Sequence, residues 1–131
     1  MFVDASAIVA ILTREAGYEA LAAALDAAAT RATSPVAVFE AALGIRRKRF
    51  CAVGEAEQDV LELLTAAQVR IVAIAEAESH AALDAFSRYG KGTGHPAQLN
   101  LGECFAYAVA RGIGAKILFA GADLSMTDIA G

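Results

Sequence analysis

Four acidic residues, each nearly alone in an apolar stretch, constrain how this chain can fold. They are Asp4 in segment 1–13, Glu40 in segment 35–45, Glu103 in segment 100–110, and Asp123 directly after the apolar run 117–122. The first three segments contain no lysine or arginine. An unpaired carboxylate beside a protein core costs several kcal/mol, so such a group becomes neutral, finds a partner or binds a metal ion. One divalent cation shared by all four carboxylates would remove the cost at once.

Short apolar runs alternate with helical patterns along the whole chain. We expect strands at 1–3, 31–33, 69–74 and 117–119, and helices at 5–13, 18–29, 35–49, 55–67, 76–89 and 101–111, the last of them capped by Asn100. Ser34 is the expected N-cap of the third helix, with Pro35 at its first position, and Gly54 is expected to separate the third and fourth helices. The alternation predicts an α/β fold with a short central parallel sheet flanked by helices on both faces, as one domain over residues 1–131.

The predicted fold brings the four acids to one edge. In parallel α/β sheets, ligands bind at the carboxyl ends of the strands. Asp4 and Asp123 each follow a strand, and Glu40 and Glu103 lie near the starts of helices that leave the same edge. Each acid also has an ordinary explanation. Asp4 fits a helix N-cap, Asp123 a turn, Glu103 a capping box with Asn100, and Glu40 a salt bridge to a distant arginine.

Composition sets broad limits on partners and location. Hydrophobic residues make up 57% of the chain, and the mean hydropathy of +0.49 favours apolar surface that is buried against a partner. No run of 18 or more apolar residues occurs, so a membrane span is not expected. The start MFVDAS lacks the basic region of a signal peptide, which favours a cytoplasmic location. A net charge of −4 argues against binding nucleic acid through bulk charge.

Oxygen ligands without histidine or cysteine point to a particular metal chemistry. Carboxylates favour Mg²⁺ or Mn²⁺ over zinc, and two such ions about 3.5–4 Å apart activate water and stabilise the leaving oxygen of a phosphodiester. The sequence therefore predicts hydrolysis of a nucleic-acid backbone. The candidate nucleic-acid contacts are basic residues at the end of the third helix and in the loop 90–98, namely Arg46, Arg47, Arg49 and Lys91.

Four segments carry a resemblance to a known family. They read VDASAIVAIL (3–12), SPVAVFEA (34–41), RYGKGTGHPAQLNLGECFAYAVA (88–110) and LFAGADLSMTDI (118–129). In order and spacing they resemble the VapC toxins, which are PIN-domain ribonucleases. The resemblance covers the chain from end to end.

The resemblance implies a PIN-like fold and an endoribonuclease that depends on Mg²⁺ or Mn²⁺. It further implies a VapB-like antitoxin as partner, a homodimer and an RNA substrate of the tRNA or rRNA class. Asp4, Glu40, Glu103 and Asp123 match the acidic catalytic and metal-binding positions of the family. Ser6 matches the hydroxyl residue that supports the first aspartate, and Asn100 is assigned to the same supporting role.

Two departures from the family pattern keep an alternative open. Glu103 replaces the usual aspartate, and the last motif reads AGAD at 120–123 without the family's basic and polar residues. The alternative is a weakly active or inactive module that acts mainly by binding its antitoxin and, through it, operator DNA. A third reading is a phosphatase for small phosphomonoesters. Asp128, near the end of the chain, either reaches the site or closes a turn, and the turn is favoured.

Overall fold

The computed structural model describes residues 1–129, so the last two residues of the predicted 1–131 domain lie outside it. A sheet of four short parallel strands forms its centre. The strands are β1 (Phe2–Val3), β2 (Ala32–Thr33), β3 (Arg70–Ile71) and β4 (Ile117–Leu118), in the order β3-β2-β1-β4. The helices are α1 (Ala5–Leu12), α2 (Tyr18–Ala27), α3 (Pro35–Arg49), α4 (Val53–Ala66), α5 (Glu76–Tyr89) and α6 (Leu101–Gly112), followed by a 3-10 helix at Asp123–Met126.

The order of the strands defines the edge at which a ligand can bind. The chain moves outward from β1 to β2 to β3, then crosses back so that β4 pairs with the other side of β1. Since such crossovers are right-handed, the reversal puts α1 to α4 on one face of the sheet and α5 and α6 on the other. The predicted α/β class with helices on both faces is confirmed. The reversal of direction opens a crevice beyond the carboxyl ends of β1 and β4.

Strand register brings the carboxyl ends of the central strands level with one another. Phe2 is opposite both Ala32 and Ile117, and Val3 is opposite Leu118. Phe2 and Ile117 are almost completely buried, so the centre of the sheet is also the centre of the core. The residues that follow these strands, Asp4 among them, therefore emerge side by side.

Local capping explains where the two helices that lead away from this edge begin. Ser34 caps α3 by accepting a hydrogen bond from the Ala37 backbone N–H at 3.2 Å, and Pro35 takes the first helical position. Asn100 caps α6. Both starts agree with the sequence prediction, because cap residues act through contacts within a few positions.

Some predicted boundaries were wrong. Gly54 lies inside the first turn of α4 and does not separate the helices; the chain turns instead at Phe50, whose φ is 52°. The strand predicted at 69–74 pairs only at Arg70–Ile71, on the exposed edge of the sheet. The helix predicted at 18–29 ends at Ala27. Among the described residues, no helix is both long and apolar enough to cross a membrane.

Candidate functional site

A cavity of about 460 Å³ opens in the crevice beyond β1 and β4. Three of the four predicted acids, Asp4, Glu40 and Glu103, line it together, and we refer to it as the carboxylate cavity. They arrive from three directions: the end of β1, the second turn of α3 and the first turn of α6. Ala120 and Gly121, just after β4, also line the cavity.

Asp4 is the most deeply placed of these carboxylates, with 5% of its surface exposed. Its Oδ2 accepts hydrogen bonds from the Ser6 backbone N–H at 3.1 Å and from the Ser6 hydroxyl at 2.5 Å, so it also caps α1. Ser6 Oγ in turn accepts from the Ala120 backbone N–H at 3.0 Å. Ser6 therefore joins the ends of β1 and β4. Burial raises the pKa of Asp4, and the bonds from Ser6 offset only part of that effect.

Glu40 lies beside a glycine that leaves room for it. A Cβ atom added at Gly102 would fall on the Glu40 carboxylate, so any larger residue at that position would force the Glu40 side chain out of its present place. No ion pair within residues 1–129 involves Glu40, so the salt bridge considered for it is not found. Burial, followed by the charge of Asp4, raises the pKa of Glu40.

Glu103 both caps α6 and lines the cavity. Its backbone N–H donates to Asn100 Oδ1 at 2.9 Å and its Oε1 accepts from the Asn100 backbone N–H at 3.1 Å, which forms the expected capping box. The same side chain lines the cavity. Burial raises its pKa to about 7 against the opposing hydrogen bond from Asn100, with further increases from the charges of Asp123 and Asp4.

Asp123 lies at the margin of the cluster. It begins the 3-10 helix after β4, is exposed, and is not among the residues that line the cavity. It nevertheless lies close enough to Glu103 for its charge to raise the pKa of that group. The tertiary structure thus brings three acids around one cavity with the fourth beside them. Within residues 1–129, no three His, Cys, Asp or Glu side chains form a ready-made metal-binding group.

The basic residues predicted to contact nucleic acid occupy different settings. Arg47 lines the carboxylate cavity and forms no ion pair with the residues that the structure describes. Arg46 lines an adjoining cavity together with Arg47. Arg49 is engaged by Asp59 Oδ2 at 2.8 Å and by the Leu12 carbonyl. Lys91 is exposed in the loop after α5 and does not line the carboxylate cavity.

Asp128 lies in a turn, as expected, and its side chain also binds a separate group of side chains that does not line the cavity. Its Oδ1 accepts from the Tyr107 hydroxyl at 2.6 Å and from the Tyr89 hydroxyl at 3.4 Å. Its Oδ2 pairs with Arg111 at 2.9 Å and with Arg88 at 3.6 Å. We refer to these five residues as the Asp128 cluster. They hold the C-terminal segment against α5 and α6.

Sequence reasoning missed two residues that line the cavity and one glycine that packs against Glu40 beside it. Gly102 was overlooked because the reason for its small size lies on another helix, 62 positions away in the chain. Lys48 and Glu15 also line the cavity, where they form an ion pair. Glu15 lies in the turn before α2, and its sequence neighbours gave no sign that it faces the other acids.

Comparison with known proteins identifies several that are similar to this chain. The PIN domain family profile matches residues 1–130. A VapC ribonuclease of Rhizobium meliloti is 42% identical, and the alignment covers 98% of each chain. Ribonuclease VapC42 of Mycobacterium tuberculosis is 38% identical over 98% of this chain and 96% of its own. The fold is similar to that of VapC20 of Mycobacterium tuberculosis, a sarcin-ricin loop cleaving toxin, with a TM-score of 0.76, 16% identity, and coverage of 98% of this chain and 95% of that one.

Proposed function

The chain belongs to the PIN domain family and to its VapC ribonucleases, and from this premise we propose that it is a toxin endoribonuclease that uses Mg²⁺ or Mn²⁺. The observation that carries the metal dependence is that three carboxylates, Asp4, Glu40 and Glu103, line one cavity and form no ion pair among the described residues. The pKa of each is raised in agreement with that setting. Each is raised chiefly by burial. Mutual charge adds to the effect at Glu40 and Glu103. Such a site favours a cation, which replaces the missing positive charge.

The donor chemistry suits a hard divalent ion. All three side chains offer only oxygen, which favours Mg²⁺ or Mn²⁺. No ready-made metal-binding group of three exists among the described residues, but Asp4, Glu40 and Glu103 share one cavity and would hold the ion. Once bound, the ion supplies an activated water and positive charge for the phosphodiester.

The remaining residues of the site orient these donors. Ser6 holds Asp4 by two hydrogen bonds and is itself fixed by the Ala120 N–H. Asn100 holds Glu103 through the capping box. Asp123, beside Glu103, completes the set of acids. Arg47, at the rim, is the cation best placed to receive a backbone phosphate of RNA.

Partners follow from the same proposal. A VapC toxin implies a VapB-like antitoxin and a substrate of the tRNA or rRNA class, in the cytoplasm. An apolar groove between α5 and α6, lined by Leu83, Phe86, Leu101 and Phe105, supports burial against a protein. Leu83 and Leu101 are each 68% exposed. We assign this groove to protein contacts, with a homodimer as the expected state.

A second candidate function is a weakly active or inactive module that acts by binding the antitoxin and thereby operator DNA. The engagement of Glu103 in a capping box favours it, because one of its two carboxylate oxygens already has a partner. Such a protein would bind its antitoxin tightly and leave RNA intact.

Incubation of the purified protein with tRNA and rRNA separates the two candidates. We expect cleavage in Mn²⁺ or Mg²⁺, none in EDTA, and a loss of cleavage in Asp4→Asn, which keeps a good N-cap for α1. Antitoxin binding by the Asp4→Asn protein serves as the control for folding. Tight antitoxin binding by the unaltered chain with no cleavage in either metal would establish the module instead.

A further inference from the structure

Phe50 does not contribute to the hydrophobic core. It follows the last turn of α3, its surface is 93% exposed, and its backbone has the left-handed φ of 52°. That conformation favours glycine and is unusual for a bulky residue. A phenylalanine here therefore strains the backbone and leaves an aromatic ring in water. Neither effect stabilises the folded chain, which leaves the ring available to a ligand.

The ring lies beside two arginines and next to the candidate active site. Phe50, Arg46, Arg47 and Cys51 line a cavity of about 360 Å³. Arg47 also lines the carboxylate cavity, so the two cavities meet at this residue. Neither Arg46 nor Arg47 forms an ion pair among residues 1–129. The result is an exposed aromatic face beside two cations that form no ion pair with the residues the structure describes.

Arg49 fixes this end of α3 in space. Its guanidinium binds Asp59 on α4 at 2.8 Å and the carbonyl of Leu12 at the end of α1. The segment that carries Phe50 is thereby tied to two neighbouring helices. A ligand that stacks on the ring meets a preorganised surface, which lowers the entropy lost on binding.

We propose that Phe50, Arg46 and Arg47 form a nucleotide subsite, in which an unpaired RNA base next to the scissile phosphate stacks on Phe50 while the arginines hold the adjoining phosphates. This inference rests on the proposed RNA hydrolysis. Unpaired bases stack on aromatic side chains, and arginine binds phosphate through two parallel hydrogen bonds. Because Arg47 borders both cavities, a phosphate that it holds lies between the stacked base and the carboxylates.

Phe50→Gly is the sharpest variant, because glycine suits the left-handed backbone. We expect a melting temperature equal to or above that of the unaltered chain. For cleavage of a 20-nucleotide single-stranded RNA pool of random sequence in Mn²⁺, we expect KM to rise roughly tenfold with kcat little changed, as the loss of one stacked base predicts. Phe50→Trp restores an aromatic face and is expected to restore KM, whereas Phe50→Leu is not.

RNA that lacks one base gives the matched test from the side of the ligand. Synthetic oligonucleotides of one cleaved sequence carry a single abasic nucleotide at each position flanking the cut. At one such position, the unaltered chain and Phe50→Gly are expected to show the same KM, because the stacking partner is gone from both. Equal sensitivity to Phe50→Gly at every abasic position would overturn the proposal.

The arginines are tested through the salt dependence of binding. Fluorescence anisotropy with the RNA pool, on a background of Asp4→Asn, measures affinity without cleavage. Arg47→Ala is expected to lower the slope of log K against log salt by about 0.7, as for one phosphate contact on a single strand. Arg70→Ala removes an exposed charge on β3, at the far edge of the sheet, and is expected to leave the slope unchanged. Equal slopes for both variants would contradict the subsite.

The two proposals fail in distinguishable ways. Absence of cleavage by the unaltered chain in Mn²⁺ contradicts the proposed function, while a loss of affinity from Phe50→Gly in the anisotropy assay still supports the subsite. If Phe50→Gly changes neither cleavage nor affinity, the subsite is wrong and the proposed function still stands. If sedimentation shows that Phe50→Gly lowers the oligomeric mass along with activity, the ring contacts another protein chain and the subsite is wrong.

Discussion

Carboxylates at two places in this molecule lie in opposite electrostatic environments. In the carboxylate cavity, Asp4, Glu40 and Glu103 lie near one another, and burial raises the pKa of each. In the Asp128 cluster a single carboxylate is surrounded by two arginines and two tyrosines. There the pKa is lowered, first by the hydrogen bond from Tyr107 and then by the charges of Arg111 and Arg88.

The contrast separates a cluster whose charges stabilise the fold from a cavity in which the negative charge is left unbalanced. Asp128 has its partners within the chain, and its contacts hold the segment that follows Asp123. The cavity, by comparison, concentrates the negative charge of Asp4, Glu40 and Glu103, which form no ion pair with the described residues, at a cost in stability. Such unfavourable charge is typical of functional sites, where a ligand supplies the missing partner.

The same substitution in both groups gives the largest expected difference. Asp4→Asn is expected to reduce RNA cleavage about 10³-fold, because stabilisation by a metal ion is worth several kcal/mol, and to raise the melting temperature in EDTA. Asp128→Asn is expected to lower the melting temperature and leave kcat nearly unchanged. Cleavage rates and thermal unfolding of the two variants test the contrast. Equal effects of the two substitutions on either measurement would contradict the contrast between the carboxylate cavity and the Asp128 cluster.

Gly102→Ala tests whether Glu40 needs its present position. The added Cβ would fall on the Glu40 carboxylate, so we expect a loss of roughly 10- to 100-fold in kcat, as for a catalytic group displaced by about 1 Å. Gly112→Ala is the matched control in the same helix, because a Cβ there meets nothing within 4 Å. Full activity in both variants would show that Glu40 has no fixed role.

The pH dependence of metal binding sharpens the comparison further. The pKa of Glu103 is about 7, so protons compete with the ion below that pH. We expect the apparent affinity for Mn²⁺, measured by calorimetry, to weaken about tenfold from pH 8 to pH 6. Glu103→Gln keeps an acceptor for the capping box and should flatten this dependence. A pH-independent affinity in the unaltered chain would contradict the assignment.

Stability in EDTA should change with pH in the matching direction. A folded-state pKa above that of the unfolded chain means that the folded protein binds more protons, so stability falls as the pH rises from about 4.5 to 7. Mn²⁺ is therefore expected to raise the melting temperature more at pH 8 than at pH 5. The lowered pKa of Asp128 acts in the opposite sense, since its contribution is lost as the pH falls.

The smallest expected effect concerns Tyr107. Tyr107→Phe removes the hydrogen bond to Asp128 at 2.6 Å, and we expect the free energy of unfolding to fall by about 1 kcal/mol with little change in kcat. Tyr18→Phe is the control, because the Tyr18 hydroxyl makes no hydrogen bond among the described residues. Urea denaturation of both variants measures the difference. A marked fall in kcat for Tyr107→Phe would instead show that the Asp128 cluster positions Asp123.

The sequence by itself determined the elements and their chemistry. Apolar runs and caps at Ser34 and Asn100 set the order of strands and helices, because caps and periodicity act over a few residues. The isolation of Asp4, Glu40 and Glu103 in apolar segments marked them as functional candidates, and the four-segment resemblance identified the family. The termini of shorter elements were less certain, as the strand at 69–74 shows.

Only the tertiary structure decided which side chains meet. The contact of Glu40 with Gly102, the bridge from Ser6 to Ala120 and the capture of Asp128 by Tyr107 all join residues that are distant in the chain. No local pattern encodes them, because each depends on how separate helices and strands pack. The same holds for the imbalance of charge in the cavity. Burial and the distance between carboxylates set it, and both quantities exist only in the folded chain.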